Sequence, residues 1–145
     1  MFPSKFSEDS SQSLGFVFIK AYNNWHCKIK EVLKPTGLTH PQFVVLTVTV
    51  YLQSHGENVT QKMISDHSEI DTMTTSQILR LLEKKNFIRR RQHKIDTRAN
   101  VIELLPEGQA KIAQAVPLVE KVDGEFFGIL QSDEANFMNL LKKLI

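Results

Sequence analysis

Apolar residues recur along this chain at three- and four-residue steps, and each break in the rhythm marks off a new helix. Leu14, Phe18, Ala21, Trp25, Ile29 and Val32 form the first stripe, after a polar, frayed stretch over residues 1–10. Ser10, Ser11 and Ser13 are its candidate N-caps, and Pro35 with Gly37 stops it. Phe16, Val17 and Ile19 lie off the stripe, so the start of this helix is apolar on more than one side and calls for a second partner, another subunit among the candidates. Thr39-His40-Pro41 opens a second helix, with Thr39 or His40 as cap and Pro41 in the first turn, where a missing N–H costs nothing. Phe43, Leu46 and Val50 are its expected inner face, widened by Val44 and Val45, and His55-Gly56-Glu57-Asn58 closes it. Val59 leaves room for a very short strand at most. Thr60 caps a third helix of about two turns, Gln61 to Ser68, with Met63 and Ile64 expected inward.

The fourth helix is expected from about Thr72 to Lys85 behind Asp71, a strong N-cap. Ile78, Leu79, Leu81 and Leu82 make its core side. At about 100° per residue, Thr72, Met73, Ser76, Arg80 and Glu83 fall opposite them, with Gln77 and Lys84 flanking. Asn86 suits a left-handed C-cap. Phe87 to Gln92 and Asn100 to Leu104 alternate apolar with charged residues and read as a hairpin whose tip is 93–99. Pro106 starts a fifth helix, which Pro117 is expected to kink or break; Val119, Val122, Phe126, Phe127, Ile129 and Leu130 continue beyond it. Ser132 is the expected cap of a last helix with Asp133 and Glu134 at its positive end and Phe137, Leu140, Leu141 and Leu144 on one face.

This makes a mostly α chain with one small β-hairpin, and its 145 residues fit a single domain. A hydrophobic fraction of 41% and a charged fraction of 23% exclude global disorder. No stretch approaches the roughly 18 unbroken apolar residues of a membrane span, and Met1 to Ser13 does not read as a secretory signal. Cys27 is the one cysteine. It excludes an internal disulfide and a multi-cysteine zinc site, and it suits a reducing cytoplasm. The net charge of +2 hides an asymmetry: Lys84 to Arg98 holds seven basic residues against Asp96, a local +6, whereas the rest of the chain nets −4. One basic block on an acidic body is the footprint of a polyanion-binding surface.

Two short helices, the second polar on its outer face, followed by a basic hairpin, make a winged helix-turn-helix. Small hydroxyls, an amide and an arginine on the fourth helix let it enter a major groove without obstruction, and a basic hairpin beside it reaches the neighbouring minor groove. The candidate DNA-binding residues are Thr72, Met73, Thr74, Ser76, Gln77, Arg80 and Lys84 on the helix and Arg89, Arg91, Lys94, Asp96 and Arg98 on the wing. Ser76 and Gln77 point best at base edges, while Thr74 leans inward. Arg89, Arg90 and Arg91 alternate along a strand and cannot all face one groove.

Gly37-Leu38-Thr39-His40-Pro41-Gln42-Phe43, Asp71-Thr72-Met73-Thr74-Thr75-Ser76-Gln77, Leu82-Glu83-Lys84-Lys85-Asn86, Ile88-Arg89-Arg90, the wing run Asp96-Thr97-Arg98-Ala99 and Leu104-Leu105-Pro106-Glu107-Gly108 resemble the MarR (multiple-antibiotic-resistance regulator) family over roughly residues 12–144. The resemblance implies a homodimeric transcription regulator, often released from DNA by a small ligand or by oxidation. It places dimerisation helices at about 11–34 and 106–145 and a DNA-binding lobe at about 38–105. It also implies that Arg98 enters the minor groove while Asp96 orients it, through a contact that would hold the guanidinium fork if bidentate. Two positions depart from the family: Leu105 stands where threonine is common, so Pro106 must start the helix, and Asn86 stands where glycine is usual.

The expected partner is a double-stranded, pseudo-palindromic operator with half-sites about one helical turn (~34 Å) apart, bound by a homodimeric repressor without cofactor or metal. Trp25, His40 and Phe43 are the candidate lining of an effector pocket between the terminal helices and the lobe. Cys27, near Lys20 and Lys30, is a candidate redox switch, although the family's peroxide sensors carry their cysteine nearer Gly15, which favours a free thiol. The five histidines lack the three- or four-residue spacing of a helical metal site, yet His26, Cys27 and His40 could converge on zinc. No glycine-rich phosphate loop, nucleophile elbow or His-Glu-x-x-His is present, so enzyme chemistry is not expected. The alternative is a winged helix that uses the same surface for a protein partner.

Overall fold

Side-chain caps set four of the helix starts in the computed structural model, which describes residues 1–56 and 58–145. Helix α1 (Leu14–Leu33) begins where the Ser13 hydroxyl accepts the Phe16 N–H. Helix α2 (His40–His55) begins in a capping box, Thr39 accepting from Gln42 N–H and the Gln42 amide oxygen from Thr39 N–H. Thr60 caps α3 (Gln61–Ser68) and Asp71 caps α4 (Thr72–Lys84). Strands β1 (Ile88–Gln92) and β2 (Asn100–Leu104) pair antiparallel, with Ile88 opposite Leu104 and Arg90 opposite Ile102. Helices α5 (Pro106–Gly128) and α6 (Glu134–Lys142) complete the chain. The result is a winged helix-turn-helix between terminal helices. Glu57, in the stretch expected to close α2, lies outside the described residues.

Helix α2 is the hub. Its Val45 and Leu46 are fully buried against Ile64 of α3, Leu79 and Leu82 of α4, and Ile88 and Ile102 of the hairpin. Three buried hydroxyls are satisfied locally: Thr49 donates to Val45 O (2.8 Å), while Ser65 (2.6 Å) and Thr75 (3.3 Å) both donate to Ile70 O, tying α3 to α4. Val59 O accepts from Ile102 N–H (2.8 Å), so the segment before α3 adds one rung to the wing. Helix α4 ends as its sequence requires. Asn86 takes φ +60°, its N–H reaches Glu83 O (3.0 Å), and Phe87 N–H reaches Leu82 O (3.1 Å), a Schellman closure that turns the chain into β1. Gly108 is required by packing: a Cβ there would run into Phe87 O, with Leu104 Cδ1 at 2.9 Å. That contact seats the first turn of α5 against the base of the wing.

Several expectations need correction. Pro117 does not break α5, which runs unbroken to Gly128; the long apolar face already packed on α1 and α2 outweighs one lost hydrogen bond. Ser132 does not cap α6. It falls in a 3-10 turn over Gln131–Asp133, and Asp133 takes the N-cap position. Leu81 is 46% exposed and Met63 is exposed, whereas their chain neighbours Leu82 and Ile64 are fully buried. On α2, Val45 rather than Val50 completes the innermost row. In α1 the buried residues are Ile29 and Leu33, whereas Leu14, Phe16, Val17, Phe18 and Ile19 are all exposed, and every α6 residue keeps some exposure.

Candidate nucleic-acid interface

The outer row of α4 is open. Thr72, Met73, Gln77, Arg80 and Lys84 are exposed and Ser76 is half-buried, while Thr75, Ile78, Leu79 and Leu82 anchor the opposite side. Thr74 is exposed, but its hydroxyl donates to Asp71 Oδ2 (2.7 Å) and its N–H to Asp71 Oδ1 (2.8 Å). Those two bonds, the hydroxyl's first, hold the Asp71 carboxyl below its ordinary value. The positive end of α4 therefore already carries its own anion, and Thr74 serves the cap that aims the helix.

On the wing, Arg89 and Arg91 share one side with a carboxylate. Arg89 Nε (3.0 Å) and Nη2 (2.8 Å) donate to Glu103 Oε2, and Arg91 Nε lies 4.0 Å from the same oxygen. The hydrogen bonds from Arg89 are the main cause of a lowered Glu103 pKa, with the charges of Arg89 and Arg91 adding to it. Arg90 turns the other way onto Glu83, which also accepts the Arg90 N–H (3.0 Å). Lys85 Nζ donates to Gly37 O (2.7 Å) and to the Gln42 amide oxygen (3.0 Å). Three of the seven cations in the basic block, Lys85, Arg89 and Arg90, are thus hydrogen-bonded within the protein.

The wing tip holds itself by side-chain acceptors. His93 Nδ1 accepts from the N–H groups of Ile95 and Asp96 (both 3.1 Å), Gln92 Nε2 donates to Thr97 O (2.5 Å), and Asp96 Oδ1 accepts Arg98 N–H (3.1 Å). Lys94 and Arg98 project into solvent, the Arg98 side chain 94% exposed. Asp96 and Arg98 form an ion pair through a Nε–Oδ1 approach of 3.6 Å, and the same Oδ1 accepts the Arg98 backbone N–H at 3.1 Å. Glu103 and the tip residue Ile95, 90% exposed, escaped sequence reasoning. Only the strand register, which sets Glu103 opposite Arg89, could have exposed the first.

The candidate effector residues are partly brought together. Trp25 Nε1 donates to Asp123 Oδ1 of α5 (2.8 Å), and the indole meets His40 edge-on at 5.0 Å between ring centroids. Phe43 is buried in the lobe core. An apolar groove of about 570 Å³ is lined by Trp25 with Phe18, Tyr22, Phe127, Phe137 and Leu141, whereas His40 and Phe43 are outside its lining. His26 and His40 do converge, Nδ1 to Nδ1 at 2.7 Å. Burial, then the neighbouring His26, lowers the His40 pKa, and Asp123 opposes that shift. Cys27 is exposed, and among the described residues no three His, Cys, Asp or Glu side chains gather as metal ligands. No helix among them is long and apolar enough to cross a membrane.

The family model of the transcriptional regulators SarA/Rot matches residues 28–115, from the second half of α1 through the lobe into α5. The HTH-type transcriptional regulator YdcH of Bacillus subtilis is 39% identical over 142 residues, 98% of this chain and 95% of its own. Two solved structures share the fold. One is a mutant MarR of Escherichia coli complexed with operator DNA, at TM-score 0.83 and 24% identity, covering 98% of this chain and 99% of that one. The other is BpsR of Bordetella bronchiseptica, whose DNA binding is regulated by 6-hydroxynicotinic acid, at TM-score 0.83 and 23% identity, covering 93% and 94%.

Proposed function

The chain belongs to the family of SarA/Rot transcriptional regulators, and we propose that it works as a cytoplasmic homodimeric repressor of the MarR type, released from a pseudo-palindromic operator by a small ligand. The observation that carries the DNA-reading part is the open row Thr72, Met73, Ser76, Gln77 and Arg80 on α4, set beside a hairpin that presents Arg89, Arg91, Lys94 and Arg98. In this reading α4 enters the major groove, Gln77 reads a base edge, and Arg98 reaches the minor groove. The operator-bound MarR relative supports that placement. BpsR supports the effector, which would be apolar or aromatic to suit the surroundings of Trp25.

Surface area supports the dimer. A folded monomer of 16.6 kDa should expose roughly 7,600 Å², whereas this protomer exposes 10,181 Å². Selection of bound duplexes from a random pool tests the proposal. It should enrich a two-fold symmetric motif with half-sites about one helical turn apart, bound less tightly as salt rises. A pool that enriches no motif would point instead to a protein partner on the same surface.

A further inference from the structure

Met73 is 73% exposed at the second position of α4, the end of the helix that leads. Helix α4 packs against α2, α3 and β1, so pairing of the terminal helices would leave this thioether uncovered. Its surroundings are not those of a phosphate seat. The Asp71 carboxylate occupies the helix N-terminus, accepting both the N–H and the hydroxyl of Thr74, and a phosphate brought to that end would meet an anion. No lysine or arginine precedes Arg80 in the helix, so its first two turns also lack the usual reader of guanine N7 and O6. An apolar, polarizable side chain at that position has one apolar partner in the major groove, the 5-methyl group of thymine.

We infer that Met73 is a specificity-determining residue that packs against a thymine 5-methyl group in each half-site. Gln77, one turn further along the same exposed side, complements it with the amide that suits adenine N6 and N7. The step under the leading half of α4 is then built from A·T pairs, and recognition there depends on the methyl group. This rests on the reading of α4 as the recognition helix, and the test keeps the two apart.

The duplex enriched from the random pool is resynthesised with deoxyuridine replacing each half-site thymine in turn, a change that removes the methyl group and keeps base pairing. Binding of the full-length protein and of Met73→Ala and Met73→Leu is measured by fluorescence anisotropy. At one position the wild type should lose about fourfold per half-site, the worth of one buried methyl group. Met73→Ala should bind the unmodified operator about that much more weakly and be indifferent to uracil there, while Met73→Leu should keep the sensitivity. Equal uracil penalties for wild type and Met73→Ala at every position, or an unchanged affinity of Met73→Ala, would overturn the inference while leaving operator recognition intact. Failure to enrich any duplex would remove both it and the recognition-helix reading.

Discussion

A wing aspartate can act on its arginine through the guanidinium or through the backbone, and the bonds around Asp96 favour the second. Asp96 Oδ1 takes Arg98 N–H at 3.1 Å and leaves the guanidinium a longer 3.6 Å approach. The carboxylate thus shapes the turn from which Arg98 departs more than it grips the fork. Asp96→Asn keeps an acceptor for the N–H, whereas Asp96→Ala does not. Both variants remove the same charge, so the difference between them isolates the hydrogen bond. Asp96→Asn should bind operator within about twofold of wild type, and Asp96→Ala about three- to tenfold more weakly than Asp96→Asn, the range of one hydrogen bond. Identical affinities for the two variants would return the role to charge. The resemblance of the wing run Asp96-Thr97-Arg98-Ala99 to the MarR family implied that Asp96 and Arg98 act as a pair. It did not reveal which carboxylate oxygen remains free, because that depends on the turn formed with His93 and Thr97.

At the scale of elements, the starts of α2, α3 and α4 follow from local sequence, whereas the expected Ser132 cap of α6 does not form. Thr39, Thr60 and Asp71 sit before their helices and accept from N–H groups three residues on, and Asn86 takes the left-handed turn expected of it. Contacts between elements were less legible. A helical wheel gives the angle of Leu81 but not where the neighbouring elements pack, and strand alternation places Arg89 and Arg91 together without naming what faces them. The register supplies Glu103. Its carboxylate competes with phosphate for both guanidinium groups, so Glu103→Gln should tighten binding to random duplex at low salt. It should also steepen the logarithmic salt dependence by about one unit for each arginine that gains a phosphate. An unchanged slope would mean that Arg89 and Arg91 stay with the hairpin and never reach the DNA backbone.

For the whole molecule, much of the apolar surface left over from the chain's own packing sits on its first and last helices. Leu14 is 83% exposed, and Phe18, Ile129, Met138, Leu140 and Leu144 are also open to solvent. The sequence already hinted at this in Phe16, Val17 and Ile19, which lie off the first stripe, but it could not say how much of the stripe itself stays open. The chain exposes about 2,600 Å² beyond the value set by its mass. That suffices for an obligate dimer, whose interface totals roughly 2,000–5,000 Å² over both partners. Two variants separate dimer loss from unfolding. Removing residues 132–145 strips Phe137 and Leu141 from the apolar groove beside Trp25, and the truncated chain should aggregate. Leu14→Glu leaves the buried core untouched, since Leu14 contributes nothing to it. By analytical ultracentrifugation at micromolar concentration, the intact protein should sediment at twice 16.6 kDa and Leu14→Glu at that single mass, with its thermal transition still cooperative. A half-site would still fit one lobe of the Leu14→Glu monomer, so its affinity for the full operator should fall towards that for an isolated half-site. An intact chain that is monomeric and well behaved at that concentration would rule out the terminal helices as the dimer interface.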